Sequence, residues 1–420
     1  MLLNDSFSVS IVNETGNFRE LLRKALAGAL ISSAFFIISS TVNAEPFSQL
    51  LPEVLQNHDR IKAAETDLKA ANDGVTIAEG DFLPTVTLSG EKGWEEQNKP
   101  TGSDDTSTGY TTMTLGATQL LWDQYKTPYT IDRAELSAMS AELRLESATQ
   151  DIIRESLNAY LNLVKAYNTF NYALQSEENI KEQTGLEEAL VAKNSGLASD
   201  LLQAKSSLAG AQAARIQANG NLTIALNRYR NVFKHDASDL KTLEHPRLPV
   251  ELIPVSLQEA ASIAQRNNLS LKLASMDVDI ATKTNRIDEA NLWGSTVSLV
   301  GESNFKRNAG GTLEDKIEHI VKLEASLPIF NGGKDQATYY QTLNLKDTAF
   351  SHLSEQQFAV EEQVNNAWQA FDTFQQTSEV LRNQANIAGE FLEIACPSSC
   401  KWNTERVISK RVSGSSGSRY

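Results

Sequence analysis

The sequence predicts a mixed α+β chain, mostly long α-helix, carrying four β-strands in two hairpins suited to crossing a bilayer. A strand is written twice: "FLPTVTLSGE" from Phe82 and "WGSTVSLVGE" from Trp293, 211 residues later. No proline falls between Pro128 and Pro246, which leaves a long stretch open to uninterrupted helix. The candidate strands alternate apolar with polar residues over about ten positions and carry aromatics near their ends.

The duplication extends beyond the strand. The 211-residue offset also places Asn57 over Asn268, Ala63 over Ala274 and Ala70 over Ala281. A second offset of 208 places "TQLLWDQYK" over "SLPIFNGGK", and Asn158-Ala159-Tyr160 over Asn366-Ala367-Trp368. The three-residue change falls in the hairpin loops, where length changes cost little. Strands are expected over 82–92, 110–121, 293–303 and 317–329. The polar loops "GWEEQNKPTGSDDTSTG" and "NFKRNAGGTLEDK" supply the turn chemistry.

Val86 and Leu88 alternate with Thr85, Thr87 and Ser89; Met113, Leu115 and Ala117 alternate with Thr112, Thr114 and Gly116. In the last strand Val321, Leu323, Ala325 and Leu327 alternate with Lys322, Glu324 and Ser326. Phe82, Trp94, Tyr110, Trp122, Trp293, Phe305 and Phe330 stand near strand ends as candidate membrane-interface aromatics. Phe82 to Trp94 spans roughly 28 Å along the normal at ~3.3 Å rise and ~45° tilt, which fits a barrel wall with aromatic girdles. Hairpins on an ordinary soluble sheet are the plainer reading.

Helices account for most of the remainder. Leu201, Ala204, Leu208, Ala211, Arg215, Ala218, Leu222, Ala225 and Tyr229 recur at alternating spacings of three and four. That is a heptad seam, with Arg215 its single polar interruption. Helices are expected over 127–176 and 200–232, folded back at "AKNSGLASD". There Gly196 is placed to end one helix and Ser199 or Asp200 to cap the next.

Bulk properties narrow the function classes. The 420 residues carry a net charge of −15, with 38 basic against 53 acidic residues. That balance argues against a nucleic-acid partner. Histidines 58, 235, 245, 319 and 352 show no metal-ligand spacing. No phosphate loop, nucleophile elbow or ligand cluster points to an enzyme or to a cofactor. Near the start, Arg19, Arg23 and Lys24 precede "ALAGALISSAFFIISS", and "VNA" ends at Ala44. This reads as a secretory signal cleaved before Glu45, with a retained anchor as the other reading. No later stretch approaches the ~20 apolar residues of a transmembrane helix.

Taken in order and twice over, these motifs resemble the TolC-like outer-membrane efflux and type I secretion duct family. The resemblance covers roughly residues 47–395, including the tip "SGLASDLLQAKSSLAGAQA". It implies a homotrimer whose chains each give four strands to a twelve-stranded barrel, above a coiled-coil-like helical barrel that crosses the periplasm. It implies a mixed equatorial region near 235–256, and docking to a periplasmic adaptor protein and an inner-membrane transporter. It also implies a gate of polar links between hairpin tips, to which Ser199 and Asp200 correspond by position. The tip turn here is about two residues shorter than the family's. Trp94 and Trp293 are expected to anchor in lipid.

The expected division is 1–44 for the extension and signal, 45–250 for a first repeat, 251–395 for an incomplete second, and 396–420 for a tail. After "GEFLEIA" the text becomes "CPSSCKWNTERVISKRVSGSSGSRY", with both cysteines, Cys396 and Cys400, and no heptad. The abrupt shift reads as a frame change; a disulfide or half a metal site are the alternatives. Without a return helix, the helix beginning near Gly333 is expected to expose an unpaired apolar seam and to leave a duct unsealed. The function implied is an outer-membrane conduit. A surface or periplasmic coiled-coil adhesin or scaffold is the competing reading.

Overall fold

The structure is a computed structural model that describes residues 47–98, 105–237, 240–243, 246, 250–311 and 313–395. The signal segment ending at Ala44, the middle of the first hairpin loop and the tail with Cys396 and Cys400 lie outside the described residues. The 3₁₀ turn Leu240–Thr242 falls outside the main unit.

In the main unit, α1 (Phe47–Asn57) and α2 (Asp59–Gly80) lead into β1 (Thr85–Gln97) and β2 (Thr106–Trp122). Then come α3 (Lys126–Ala192) and α4 (Ala198–Phe233). The order begins again with α5 (Leu257–Asn267), α6 (Leu269–Asn291), β3 (Thr296–Arg307), β4 (Asp315–Ser326) and α7 (Lys334–Ala395). Each strand runs on toward its hairpin loop beyond the predicted end, so that Trp94 and Phe305 lie inside strands. α3 is longer than expected, at 67 residues or roughly 100 Å at ~1.5 Å per residue.

The two hairpins share one register. Thr85 pairs with Thr118 and Leu88 with Leu115 in the first; Thr296 pairs with Ser326 and Leu299 with Leu323 in the second. Both pairs map onto each other through the offsets of 211 and 208 residues. The strand-to-helix turn is duplicated as well. Gln124 and Tyr125 have φ of 60° and 68°, and their counterparts Gly332 and Gly333 have 61° and 76°. The second copy uses glycine for a left-handed turn that the first builds from side-chain-bearing residues. Asp123 holds that first turn, accepting from Thr127 N at 2.8 Å and Oγ1 at 2.5 Å.

The α3/α4 pair is an antiparallel coiled-coil hairpin, and all nine residues of the predicted α4 seam are buried or half-buried. Arg215, the polar interruption, donates to Glu177 across the pair. At the base of the hairpin Tyr160 and Tyr229 are each 1% exposed. The Phe47 ring lies 5.6 Å from Tyr160, and Tyr229 stacks on Phe233 at 4.3 Å. Glu155 on α3 accepts from Arg60 of α2 and Arg228 of α4, both at 2.8 Å. α6 joins the second copy to the first through Lys283, whose Nζ lies 2.7 Å from Asp132 of α3.

α7 packs against α5 and α6 over its first part, but among the described residues nothing covers the rest. The offset of 208 aligns the buried α3 positions Ile152, Ala159 and Leu163 with Val360, Ala367 and Phe371. Val360 is 2% exposed, but every residue from Gln369 to Leu392 is exposed. Phe371, Phe374, Leu381 and Leu392 thus form a bare apolar seam, as the sequence leads one to expect, and no described helix lies on it.

Two outcomes follow from local geometry. Tyr125→Gly should raise stability by about 1 kcal/mol, because glycine removes the left-handed penalty at an exposed position; an unchanged or lower Tm would contradict this. His58 caps α2, accepting from Arg60 N through Nδ1 at 3.2 Å, and burial followed by nearby Lys234 holds its pKa below 6.5. The unfolded chain therefore takes up this proton more readily than the fold, and the stabilisation present above about pH 6.5 is lost as pH falls. Tm should drop between about pH 7.5 and 5.5, and His58→Asn, a cap that does not titrate, should remove that part of the drop. Equal pH slopes for both proteins would refute the assignment.

Candidate functional site

The four strands form one antiparallel sheet in the order β1-β2-β3-β4. In an antiparallel sheet directly opposed residues share a face, so the register assigns every side chain to one side or the other. On one face lie Val86, Leu88, Met113, Leu115, Leu299, Phe305, Val321 and Leu323. This face is open: Leu88 is 69% exposed, Leu323 66% and Val321 78%. A sheet in a soluble domain covers such a face with a helix or second sheet. Here nothing described covers it.

The other face is polar and charged. Tyr110 O–H donates to Glu91 at 2.5 Å, and Thr114 Oγ1 donates to Asn304 at 2.6 Å. Glu318 is held by Lys306 at 2.8 Å and Lys316 at 2.5 Å, and Lys322 lies 2.9 Å from Glu324 and 3.8 Å from Glu302. Charges linked in this way fit a wet surface, whereas the apolar face fits hydrocarbon.

The predicted aromatics divide between the two ends of the wall. Phe82, Trp122, Trp293 and Phe330 lie at the helix end, all four exposed. Trp122 reaches the apolar face through a β-bulge between Leu120 and Trp122, which brings it opposite Val297. At the loop end Trp94 and Phe305 stand on the apolar face, Trp94 at 72% exposure and Phe305 beneath the Arg307 guanidinium at 5.7 Å. Tyr110 departs from the expectation of a lipid contact. It pairs with Gly93 on the polar face, where its ring fills the space a Cβ on Gly93 would need, 2.6 Å from Cε1. Strand parity with Thr112 and Thr114 carried that signal; aromatic position alone did not.

Among the described residues nothing pairs with the outer edges of β1 and β4, which run for 13 and 12 residues. Such edges are templates for further strands. The sheet is therefore open to extension by further strands at both edges.

About 100 Å of helix away stands the tip. α3 ends at Ala192, and Asn194, with φ 57°, takes the left-handed position while Ser195 N returns to Leu190 O at 2.9 Å. Gly196 is not the left-handed residue. A Cβ there would meet Leu190 Cβ at 3.1 Å and Val191 N at 3.2 Å, so its smallness serves close approach. Neither Ser199 nor Asp200 is the N-cap of α4. Leu197 holds that place without a side-chain bond, and Asp200 lies in the first turn, accepting from Ser199 Oγ at 3.3 Å. Both side chains are exposed at the end of the hairpin.

The family described as "Outer membrane efflux protein" matches residues 50–232, which is α1 to α4 and the first hairpin. The outer membrane protein TolC of Vibrio cholerae is 23% identical over 322 residues, covering 74% of this chain and 70% of that protein. In sequence the chain is similar to TolC and to other outer-membrane efflux proteins. BepC, an outer membrane efflux protein of Brucella suis, is 20% identical over 375 residues, 89% of this chain and 79% of its own length. The crystal structure of the outer membrane protein VceC from Vibrio cholerae superposes with a TM-score of 0.67 at 16% identity, over 89% of this chain and 87% of that one. The TolC-like fold thus extends through the second copy, beyond the reach of the family match.

The face assignment has a direct consequence. Leu88→Lys puts a charge on the apolar face and should cost about 2–4 kcal/mol of membrane-folded stability, with reduced recovery in membrane fractions. Ser89→Lys, one residue along on the polar face, should cost within about 1 kcal/mol. Equal losses for the two variants would contradict the assignment.

Proposed function

We propose that the chain is a subunit of a passive outer-membrane channel-tunnel, a conduit for type I protein secretion or efflux. The observation that carries this reading is the inverted sheet, with its apolar face open, its charged face opposite, and both edges unpaired. Closed in a ring with other copies, that sheet puts its apolar face in lipid and its Glu, Lys and Thr side chains on water. Four strands are too few to close a barrel, since about eight is the small limit. Three copies supply twelve, in agreement with the resemblance.

In this reading a signal is removed near Ala44, residues 45–250 and 251–395 are the two structural repeats, and the helices descend into the periplasm. There the tip, with Ser199 and Asp200, faces neighbouring tips, a periplasmic adaptor and an inner-membrane transporter. The exposed aromatics Phe82, Trp122, Trp293 and Phe330 form the inner girdle, and Trp94 and Phe305 the outer one. A coiled-coil adhesin or scaffold leaves the open apolar face without a purpose and is not favoured. In this reading a sealed wall covers the bare seam of α7.

The test is conductance of the detergent-purified protein in a planar bilayer. Heat-modifiable trimers that give discrete channel steps are the expected result, and Asp200→Asn should lengthen the open state by weakening polar closure at the tip. Protein that stays soluble and conducts nothing would overturn the function. Unchanged gating in a conducting Asp200→Asn variant would remove Asp200 from the gate.

A further inference from the structure

The duplication fixes more than the fold of one copy. Its two offsets reproduce the hairpin register: Leu88–Leu115 becomes Leu299–Leu323, and Glu96–Ser107 becomes Arg307–Asp315. The β2–β3 pairing is the junction between the end of one hairpin and the start of the next. In a closed ring the only other junction of that kind joins β4 of one copy to β1 of the following copy. An even strand number makes that contact antiparallel, as β2–β3 is.

We infer that β4 meets β1 of the next copy in the β2–β3 register, which sets Leu323 opposite Lys92 and Val321 opposite Trp94. This inference rests on the shared-wall reading above. It follows by carrying Leu115–Ser303 and Met113–Phe305 through the same offsets of 208 and 211 residues. The faces agree, since Leu323, Val321, Lys92 and Trp94 all lie on the apolar face. A slip of one residue would set apolar against polar all along the junction.

On the other face the same register sets Glu324 opposite Glu91 of the next copy, a like-charge pair with the Lys322 ammonium beside it. Lys322 comes opposite Gly93 of the next copy, where the lack of a side chain leaves room for a long one. Its diagonal neighbours there are Glu91 and Glu95, both on the polar face. Diagonal pairs in a sheet are within reach of a long side chain. Together with Glu324 and Glu302, already beside Lys322, these carboxylates outnumber the one ammonium. Each junction then contributes a net acidic cluster to the inner surface, a ring that favours cations over anions at this level of the lumen.

The experiment is oxidative cross-linking of the full chain, with Cys396 and Cys400 changed to Ser, recovered from membranes. Leu323→Cys with Lys92→Cys should give a ladder of covalent oligomers. Opposed Cα atoms lie within about 5.5 Å, inside the disulfide range. Leu323→Cys with Leu88→Cys, about 13 Å out of step at ~3.3 Å per residue, should give at least about tenfold less. Leu115→Cys with Ser303→Cys is the intrachain template pair and reports that the sheet has folded. If that control closes and a displaced pair gives the ladder instead, the register is wrong and the shared wall stands. If the control closes and no pair in any step cross-links between copies, the shared wall fails and the inference with it.

Discussion

A strand facing hydrocarbon must satisfy its N–H and C=O groups within protein, because no water is there to replace a missing partner. That constraint governs this chain. β2 and β3 are paired on both sides, while β1 and β4 each present an open edge beside an open apolar face. In water the face is the liability and in lipid the edges are; closure with further copies relieves both. In the proposed closed wall the aromatic ends, the charge networks of the polar face and the bulge at Trp122 all take their places.

The helices answer a different constraint. The 67-residue helix α3 takes its stability from tertiary packing, against α4 along its seam and against α2 and α6 beside it. Small knobs such as Ala159, Ala218 and Ala225 let the pair approach closely, and the Arg215–Glu177 link sets a polar point of reference within it. The Glu155 link to Arg60 and Arg228, with the tyrosine cluster beside it, ties three helices together at the base of the hairpin. α7 repeats the α3 seam in step and shows by contrast what the cover does.

Much of this was legible in residue order. The doubled strand located both hairpins, and the three-four spacing from Leu201 to Tyr229 named the α4 seam residue by residue. Boundaries were harder to read. The extension of α3 through Glu177, Ile180 and Thr184 is masked in sequence by charge and by Gly185, although the heptad continues beneath them. Tyr110 takes the charged face, which proximity to a strand end does not reveal. At the tip, Asn194 rather than Gly196 adopts the left-handed turn, and Leu197 holds the cap position without a side-chain bond. Backbone geometry decided both, against the usual residue preferences.

The central claim is that β1 and β4 are interior strands of a larger barrel. Hydrogen–deuterium exchange on the protein assembled in lipid, resolved by residue, tests it most directly. The account predicts that the outward amides of β1 and β4 are protected as well as those of β2 and β3. Rapid exchange confined to those outward amides, with β2–β3 protected, would show the edges to be free and would contradict it.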